Sequence, residues 1–475
     1  MAAETEDPGG AGAPILAGSL AAQERGPVLR RGSSRFIKGS SERKPPNVDG
    51  TGFMAHLRHP LSALLLCLPL GIAAHYLEWG NLTVFWMNFF AMVPLAKILG
   101  DATEELAAGL HNDMVAGLLN ATFGNAVEIV ITVQTLRAGL FSVVKATLLG
   151  SVLSNLLLVL GMSFFFGGIV SSVVPGKKPQ LLAASSSMVD GRRSSLVAGS
   201  MSNIPSRIPE IEQNHSGLVT EKVQTFSTMN ALVNTSMLLL SCLSFTLVTI
   251  FYETTHFDGR HEMEEVLLPV SRICSVIIMV AYCAYIVFQL VTHREAMSEG
   301  EEEGGEEGEQ PTMSISGSIL VMFLTTIVIS FSSEMLVDTI SDLTEQAHIS
   351  QQFIGIVLLP IVGNACEHAA AVRFAIQDKP GLSIGIAVGS STQIALFVVP
   401  FSVLAGWFLG LAMDLNFGAM NTAVMNLSVI VVLSVVVDGQ ANWLQGYLLM
   451  SAYCVIAVLF WFVPNDLPPL IPKEL

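Results

Sequence analysis

The stretches GNAVE at residues 124–128 and GNACE at residues 363–367 decide the fold of this chain, because they are two copies of one motif. The copies lie 363 − 124 = 239 residues apart, and the pair GS at 150–151 returns at 389–390 with the same offset. Each copy thus has the five-residue motif in one segment and a Gly-Ser pair in the next. The sequence therefore predicts an internal repeat that covers most of the chain.

Composition places this repeat in a membrane. Of the 475 residues, 51% are apolar and only 13% are charged, and the mean hydropathy is +0.59. Soluble proteins carry about a quarter charged residues. Apolar stretches of about twenty residues, long enough to cross a hydrocarbon layer roughly 30 Å thick, recur along the chain. We predict eleven transmembrane helices, near 60–78, 82–100, 114–136, 143–170, 226–251, 267–292, 314–341, 352–376, 382–411, 419–437 and 443–463.

The predicted helices group into two repeats of five. Because five is odd, the copies enter the membrane from opposite sides, and such inverted repeats bind their substrate near mid-membrane. We therefore predict an all-α integral membrane protein with two inverted five-helix repeats and one extra N-terminal helix. Its segments are a disordered cytosolic tail (1–57), the extra helix (58–80), the first repeat (81–292) with a cytosolic Ser-rich loop (175–225), an acidic cytosolic linker (293–313), the second repeat (314–463) and a lumenal tail (464–475).

Lysine and arginine residues indicate the orientation, because they concentrate on the cytosolic side of membrane proteins. They cluster in the N-terminal tail and in loop 175–225, which a chain of eleven helices places on the same side. The N-terminus is therefore predicted to be cytosolic. The six cysteines lie in apolar segments and indicate neither a disulfide framework nor a metal site. The composition predicts the lipid bilayer as a partner and no nucleic acid, and it leaves a homo-oligomer open.

Two acidic residues, Glu128 and Glu367, occupy matching positions inside predicted spans. A carboxylate in a membrane span costs about 2.5–3.5 kcal/mol, so the pair requires an explanation. One interpretation is that each Glu hydrogen-bonds to a neighbouring helix. The symmetry of the pair favours a cation site, because Ca²⁺ takes about 6–8 oxygen ligands and two carboxylates neutralise one Ca²⁺. The thiolate and imidazole ligands typical of zinc or copper are missing, with the exception of His368 beside Glu367.

The residues around the two glutamates offer further oxygen ligands. The glycine of each motif lies where a helix can loosen and turn carbonyl groups inward, and the asparagine adds an amide oxygen. In the following segments Ser154 and Gln393 occupy matching positions, since 393 − 154 = 239, and both are predicted to face the site. Ser151 and Ser390 are interpreted as small residues that aid helix packing. The predicted metal ligands are Glu128, Glu367, Asn125, Asn364, Gly124, Gly363, Ser154 and Gln393.

Protons and Ca²⁺ are predicted to compete for the two carboxylates, because two neighbouring negative charges repel each other when nothing neutralises them. An acidic lumen then releases Ca²⁺, and the near-neutral cytosol reloads the site. His368 is predicted to orient Glu367 or to carry a proton, so the proton-coupling residues are Glu128, Glu367 and His368. No cofactor is expected, because Ca²⁺ and H⁺ are themselves the transported substrates.

Further acidic residues indicate an ion pathway. Glu334 and Asp338 lie at i and i+4 on one face of the seventh predicted helix and suggest a cation path toward the lumen. Asp342 continues this face and is interpreted as solvated at the membrane edge. Glu104 and Glu105 end the second predicted helix on the cytosolic side and complete the predicted pathway.

These residues resemble a family, the vacuolar-type Ca²⁺/H⁺ (cation/proton) exchangers of the Ca²⁺:cation antiporter superfamily. Residues 124–128 and 363–368 look like its paired signature, and residues 150–161 and 389–400 are similar to its following segments. The resemblance covers about residues 58–463 and implies eleven spans, with both motif glutamates as cation ligands. It also implies gating by the second and seventh helices, coupling to H⁺ rather than Na⁺, and transport of Mn²⁺ by some members. The location implied is the vacuole or another acidic organelle.

Two other classes of function are open to this sequence. An intramembrane metallo- or aspartyl protease would use Glu367 and His368 or the pair Asp338 and Asp342. However, no HExxH motif occurs, and the acidic residues follow the repeat rather than converge on one nucleophile. A passive cation channel would normally be built from subunits around one pore rather than from an inverted repeat. We therefore predict a secondary active transporter and not an enzyme. Ca²⁺ uptake that depends on a pH gradient distinguishes an exchanger from a channel.

Overall fold

A computed structural model describes residues 60–110, 113–170, 223–255, 260–294, 297 and 313–464. The predicted N-terminal tail, most of the Ser-rich loop, nearly all of the acidic linker and nearly all of the C-terminal tail lie outside these residues. We number the helices in chain order as α1 (Pro60–Tyr76), α2 (Asn81–Gly109), α3 (Asp113–Phe123), α4 (Ala126–Arg137), α5 (Phe141–Val170), α6 (Thr228–Thr254), α7 (Arg260–Val287), α8 (Ile315–Ala347), α9 (Gln351–Gly363), α10 (Ala365–Ile376), α11 (Pro380–Phe408), α12 (Ala419–Val436) and α13 (Trp443–Trp461).

Helix occupies each of the eleven segments for which a span is predicted, and the chain is a multi-pass membrane protein. Within the described residues, eight helices are long and apolar enough to cross a membrane, or nine if the bent pair α9 and α10 forms one span. The first helix, α1, is shorter than these, and α3 and α4 are each too short to cross alone. The total of eleven spans therefore stays a prediction.

The two glutamate motifs break two of the predicted helices. Helix 114–136 is replaced by α3 and α4, which end and begin around Asn125, and helix 352–376 is replaced by α9 and α10, which meet at 61° around Asn364. The prediction of continuous helices is wrong at both points. Asn125 has φ −104° and ψ 22°, and Asn364 has φ −90° and ψ 8°. Both pairs of angles lie in the sparsely populated bridge region, which interrupts a helix.

A wider helical turn recurs in both repeats. Residues Ser154–Val159 of α5 and Ile394–Val398 of α11 form π-helical turns, and shifting the first range by 239 residues gives 393–398. Two further π-helical turns occupy Ile354–Leu358 of α9 and Phe288–Thr292, which continues α7. Such turns often mark functional sites, because they loosen the helix and re-aim its side chains. The repeat seen in the sequence is therefore also present in local backbone geometry.

Two glycines let α5 and α9 cross in backbone contact. A Cβ atom on Gly150 would lie 2.4 Å from the carbonyl oxygen of Ile356, and one on Gly355 would lie 2.4 Å from the Cβ of Ala146. Both distances are too short for two non-bonded atoms. We call α5 and α11, which carry the polar residues that follow each motif, the companion helices. The crossing brings α5 directly against α9, which leads into the second motif, and so it brings the two halves of the chain together.

The apolar side chains of the described residues form two large buried clusters. One is centred on α2 and α8 and the other on α5, α6, α7, α11, α12 and α13, and buried residues of α4, α5 and α9 belong to both. The most enclosed helices are α5 and α11, which bury 72% and 67% of their apolar windows, whereas the span Glu265–Thr292 buries only 22%. The companion helices of the two motifs therefore lie at the centre, and α7 turns most of its surface outward.

The fold contains a small sheet that the all-helical prediction misses. Strand β1 (Gln224–Thr225) pairs in antiparallel register with strand β2 (Gln440–Ala441), with Gln224 opposite Ala441. Each strand has only two residues, which is too short to leave a periodic pattern in the sequence. The sheet lies where the chain enters α6 and where α12 turns into α13.

Candidate cation site

Each motif glutamate lies in the first turn of a helix that begins inside the protein. Glu128 follows Asn125 at the start of α4, and Glu367 follows Asn364 at the start of α10. The first N–H groups of a helix have no partner within it, and the helix dipole favours negative charge at this end. The two helix breaks therefore place two carboxylates at two electropositive helix ends.

The structure brings the first glutamate against the second motif. Glu128 is 5% exposed, and a Cβ atom on Gly363 would lie 2.8 Å from its Oε1 and 3.6 Å from its Cδ. The glycine of one repeat therefore provides the surface on which the carboxylate of the other repeat rests.

Two side chains from the companion helices hold the second glutamate. Asn155 Nδ2 of α5 donates to Glu367 Oε2 at 2.8 Å, and the hydroxyl of Ser390 on α11 donates to Oε1 and Oε2 at 2.9 and 3.0 Å. Asn155 Nδ2 also lies 2.8 Å from Ser390 Oγ. The interpretation of Ser390 as a packing residue is therefore wrong, because its hydroxyl binds the carboxylate.

Three buried asparagines near the two glutamates leave their amide oxygens without a donor. Asn125, Asn155 and Asn364 are each at most 1% exposed, and the Oδ1 atom of each has no hydrogen-bond partner among the described residues. Their amide nitrogens are in use, since Asn125 donates to Gln393 Oε1 at 2.8 Å and Asn364 donates to the carbonyl oxygen of Ser151 at 3.3 Å. A buried acceptor without a partner costs about 1–3 kcal/mol, so these oxygens are ready to accept a cation.

Ser154 and Gln393, both predicted as ligands, lie one contact away from the carboxylates. Ser154 Oγ pairs with His368 Nε2 at 3.1 Å, and Gln393 Oε1 accepts from Asn125. Among the described residues neither side chain hydrogen-bonds to Glu128 or Glu367. The two residues therefore support His368 and Asn125, and their role as direct ligands stays a prediction.

Sequence symmetry identifies one of the two residues that hold Glu367 but not the other. Ser390 matches Ser151, because 390 − 151 = 239, so the repeat marks it as a candidate. The position that matches Asn155 is 155 + 239 = 394, which is Ile394. A search for repeated polar residues therefore cannot find Asn155, although its place inside an apolar span is a signal by itself.

The predicted lumenal pathway residues line an open cleft rather than the paired-glutamate site. Glu334 and Asp338 of α8 share a cleft of ≈ 170 Å³ with Gln134 and Arg137 near the end of α4. Gln134 Nε2 donates to Ser330 Oγ at 2.9 Å, one turn before Glu334 on the same face. Arg137 lies nine residues after Glu128, which is about 13 Å along a helix. The cleft is therefore separate from the two carboxylates.

The predicted cytosolic pathway residues lie at the far end of α2. Glu105 Oε2 accepts from the backbone N–H of Met313, just before α8, at 3.2 Å. Glu104 is exposed and lies one turn after Gly100, where a Cβ atom would lie 3.2 Å from the Sγ of Cys366, the residue before Glu367. Glu104 therefore borders the second motif, whereas Glu105 links α2 to the start of α8.

The donor set of the site consists of oxygen atoms. In the described part of the chain no group of three or more His, Cys, Asp or Glu side chains converges to hold a metal ion. A cation between the two motifs would meet two carboxylates and neutral amide oxygens, which suits a hard divalent cation such as Ca²⁺ better than zinc or copper.

Two curated cation exchangers are similar to this chain over most of its length. A vacuolar cation/proton exchanger 3 of Oryza sativa subsp. japonica is 37% identical over 409 residues, which cover 84% of this chain and 86% of that protein. A Ca(2+)/H(+) antiporter of Aphanothece halophytica is 33% identical over 412 residues, with 84% and 96% covered.

A solved structure and a family profile extend the comparison. The structure of native YfkE is 29% identical, with a TM-score of 0.63 over 85% of this chain and 100% of that one. The profile of the sodium/calcium exchanger protein family matches residues 80–291 and 317–462, which is most of the chain. The chain belongs to the sodium/calcium exchanger protein family, and within it to the group of vacuolar-type cation/proton exchangers.

Proposed function

We propose that this protein is a secondary active antiporter that moves Ca²⁺ out of the cytosol into an acidic organelle in exchange for H⁺. The observation that carries the proposal is the contact between the two motifs, where Glu128 rests on Gly363, four residues before Glu367. Relatives named as vacuolar cation/proton exchangers and as a Ca(2+)/H(+) antiporter support the same pair of ions. Mn²⁺ is a further candidate substrate, because it also binds oxygen ligands.

The proposed Ca²⁺ ligands come from both repeats. The carboxylates of Glu128 and Glu367 supply the charge, and the free amide oxygens of Asn125, Asn364 and Asn155 supply neutral ligands. Asn155 is added to the set predicted from the sequence. Carbonyl oxygens of Gly124 and Gly363 at the helix breaks complete the proposed shell. Ser154 and Gln393 act through the residues that they contact.

Exchange follows from competition at this single site. Bound Ca²⁺ offsets the charge of both carboxylates. Once Ca²⁺ leaves, Glu128 and Glu367 face each other away from bulk water, where like charges repel strongly, and protons take the place of the metal. His368, held by Ser154, is the third member of the proposed proton-coupling set. Alternating access then opens the site to the cytosol with Ca²⁺ and to the lumen with protons.

The acidic residues outside the site have a proposed role in steering cations. Glu334 and Asp338 face an open cleft and Glu104 is exposed, so their charges reach water and raise the local cation concentration. They act through their field, because none of them is placed at the two carboxylates. Arg137 in the same cleft limits its negative charge.

Contacts at both ends of the helices support the proposed topology. In a chain of eleven spans with a cytosolic N-terminus, Glu105 and Met313 fall on the cytosolic side, and they hydrogen-bond. Lys145 and Asp414 fall on the lumenal side, and they form an ion pair at 2.7 Å. Each contact joins residues predicted for the same side. We propose the vacuole or a similar acidic organelle as the location, in line with the names of the relatives.

Uptake into sealed liposomes tests the proposal. The full chain is reconstituted, the lumen is acidified, and Ca²⁺ is added outside. We expect Ca²⁺ to accumulate against its gradient and the uptake to collapse when a protonophore removes the pH difference. A passive channel would instead pass Ca²⁺ down its own gradient whatever the pH difference, and that result would reject the antiporter.

A further inference from the structure

One glutamine side chain ties together the far ends of the two helices that form the Glu367 contact. Gln224 in β1 is 3% exposed, and its Nε2 donates to the carbonyl oxygen of Ala375 and to Asp378 Oδ1, each at 3.0 Å. Both partners are acceptors, so this nitrogen must be the donor. Ala375 lies in the last turn of α10, whose first turn carries Glu367.

The same side chain also touches α5, the helix that carries Asn155. A Cβ atom on Gly167 would lie 2.4 Å from Gln224 Oε1 and 3.0 Å from the carbonyl oxygen of Ala375. Only a residue without a side chain fits at this point. The end of α5, the end of α10 and the Gln224 amide are therefore in direct contact.

The backbone around Gln224 is fixed from the opposite side. Gln224 pairs with Ala441 in the two-stranded sheet, and the N–H of Phe226 donates to the carbonyl oxygen of Gly439 at 3.0 Å. Gly439 has φ +70°, a left-handed conformation that glycine adopts at little cost. Phe226 also stacks on Phe164 of α5 with 6.1 Å between ring centroids. The Gln224 side chain is therefore held by a rigid frame.

We propose that Gln224 is a positioning residue for Glu367, which it holds against Asn155 by fastening the end of α10 to the end of α5. The inference rests on the proposed role of Glu367 in binding Ca²⁺. Ala375 follows Glu367 by eight residues, about 12 Å of continuous helix, so a tilt at one end moves the other. Such a tilt would disturb the 2.8 Å hydrogen bond from Asn155 Nδ2 to Glu367 Oε2.

Substitutions at Gln224 test this role in full-length protein reconstituted into liposomes with a fixed pH gradient. Gln224→Glu keeps the shape, removes the donor and faces Asp378 with a like charge, and Gln224→Ala removes the contact. We expect the KM for Ca²⁺ to rise about threefold to tenfold, the effect of one lost hydrogen bond, with Vmax and the yield of folded protein close to wild type. Thr225→Ala is the matched control, because Thr225 is the exposed neighbour in the same strand.

A second pair of variants separates positioning from general stability. Asp378→Asn in the Gln224→Glu background restores a hydrogen bond between the two side chains, and it should return KM toward the wild-type value. Asn155→Ala combined with Gln224→Ala should raise KM no more than Asn155→Ala alone, since both act through one contact.

Three results would overturn the inference: Gln224 variants with wild-type KM, variants that lower only the yield of folded protein, or effects of Asn155→Ala and Gln224→Ala on KM that multiply. Failure of the proposed function gives a different result, because the wild-type protein itself would then show no Ca²⁺ uptake driven by the pH gradient.

Discussion

At the scale of single residues, charge balance at Glu128 and Glu367 governs the site. Each carboxylate is tolerated because it lies at a helix N-terminus and because a divalent cation or protons can neutralise the pair. Replacing either with glutamine keeps the shape of the side chain, removes one negative charge and turns one acceptor oxygen into an NH₂ donor. We expect Glu128→Gln and Glu367→Gln each to reduce Ca²⁺ uptake to the level of empty liposomes, measured by tracer uptake under a pH gradient.

Both variants should still insert and purify in normal amounts, because glutamine costs less in a membrane span than a charged group. Uptake near the wild-type rate by either variant would show that the two carboxylates do not share one site.

The close approach of Gly363 to the Glu128 carboxylate leads to a second prediction at this scale. A methyl group there would meet Glu128 Oε1 at 2.8 Å and displace the carboxylate. We expect Gly363→Ala to lower Ca²⁺ uptake at least about tenfold, the effect of roughly 1.4 kcal/mol. Gly389→Ala is the control, because a Cβ atom there meets nothing within 4 Å. Equal activity of the two variants would show that the contact between Glu128 and Gly363 does not matter for transport.

The sequence identifies the two glutamates and the asparagines beside them because the motif repeats at a fixed offset. It does not identify Asn155, whose counterpart is Ile394, and although the repeat marks Ser390, only the structure shows that its hydroxyl binds Glu367. Repeat symmetry predicts what the two halves share. Hydrogen bonds between the halves depend on how they pack.

At the scale of elements, the crossing of α5 and α9 sets the distance between the repeats. Gly150→Ala would place a methyl group 2.4 Å from the carbonyl oxygen of Ile356, which is backbone and cannot move aside. We expect overpacking to destabilise the protein by about 1–3 kcal/mol and to lower its thermal unfolding midpoint in detergent. Gly385→Ala, where the nearest atom lies 3.9 Å away, should leave the midpoint unchanged or slightly higher.

A lowered midpoint for both glycine variants would attribute the loss to the alanines themselves rather than to the crossing.

Hydropathy locates the long helical segments among the described residues, because an apolar run is a local property. It does not locate the break at Asn364 or the π-helical turns at 154–159 and 394–398, because these depend on how the helix packs against its neighbours.

At the scale of the whole molecule, the described helices pack into two buried clusters, which α4, α5 and α9 link. The predicted gating helices correspond to α2 and α8, which lie in one cluster, while α5 and α11 lie in the other. Movement of one cluster against the other would expose the site alternately to the two sides. We propose that alternating access uses such a movement.

Competition between protons and Ca²⁺ gives a prediction for the whole transport cycle. As the cytosolic pH falls, protons occupy the carboxylates more often, so the apparent affinity for Ca²⁺ should weaken. The measurement is the KM for Ca²⁺ uptake at several external pH values with a constant pH difference across the liposome membrane. A KM that does not change with pH would contradict competition at a shared site.

The sequence by itself determined the membrane class, the positions of the helical segments, the internal repeat and the pair of glutamates, because each is recorded in local composition or in a fixed offset. Tertiary structure alone decided that Glu128 rests on Gly363, that Asn155 and Ser390 hold Glu367, and that Gln224 joins α5 to α10. These contacts join residues far apart in the chain, and they depend on helix crossings whose distances are set by side-chain packing.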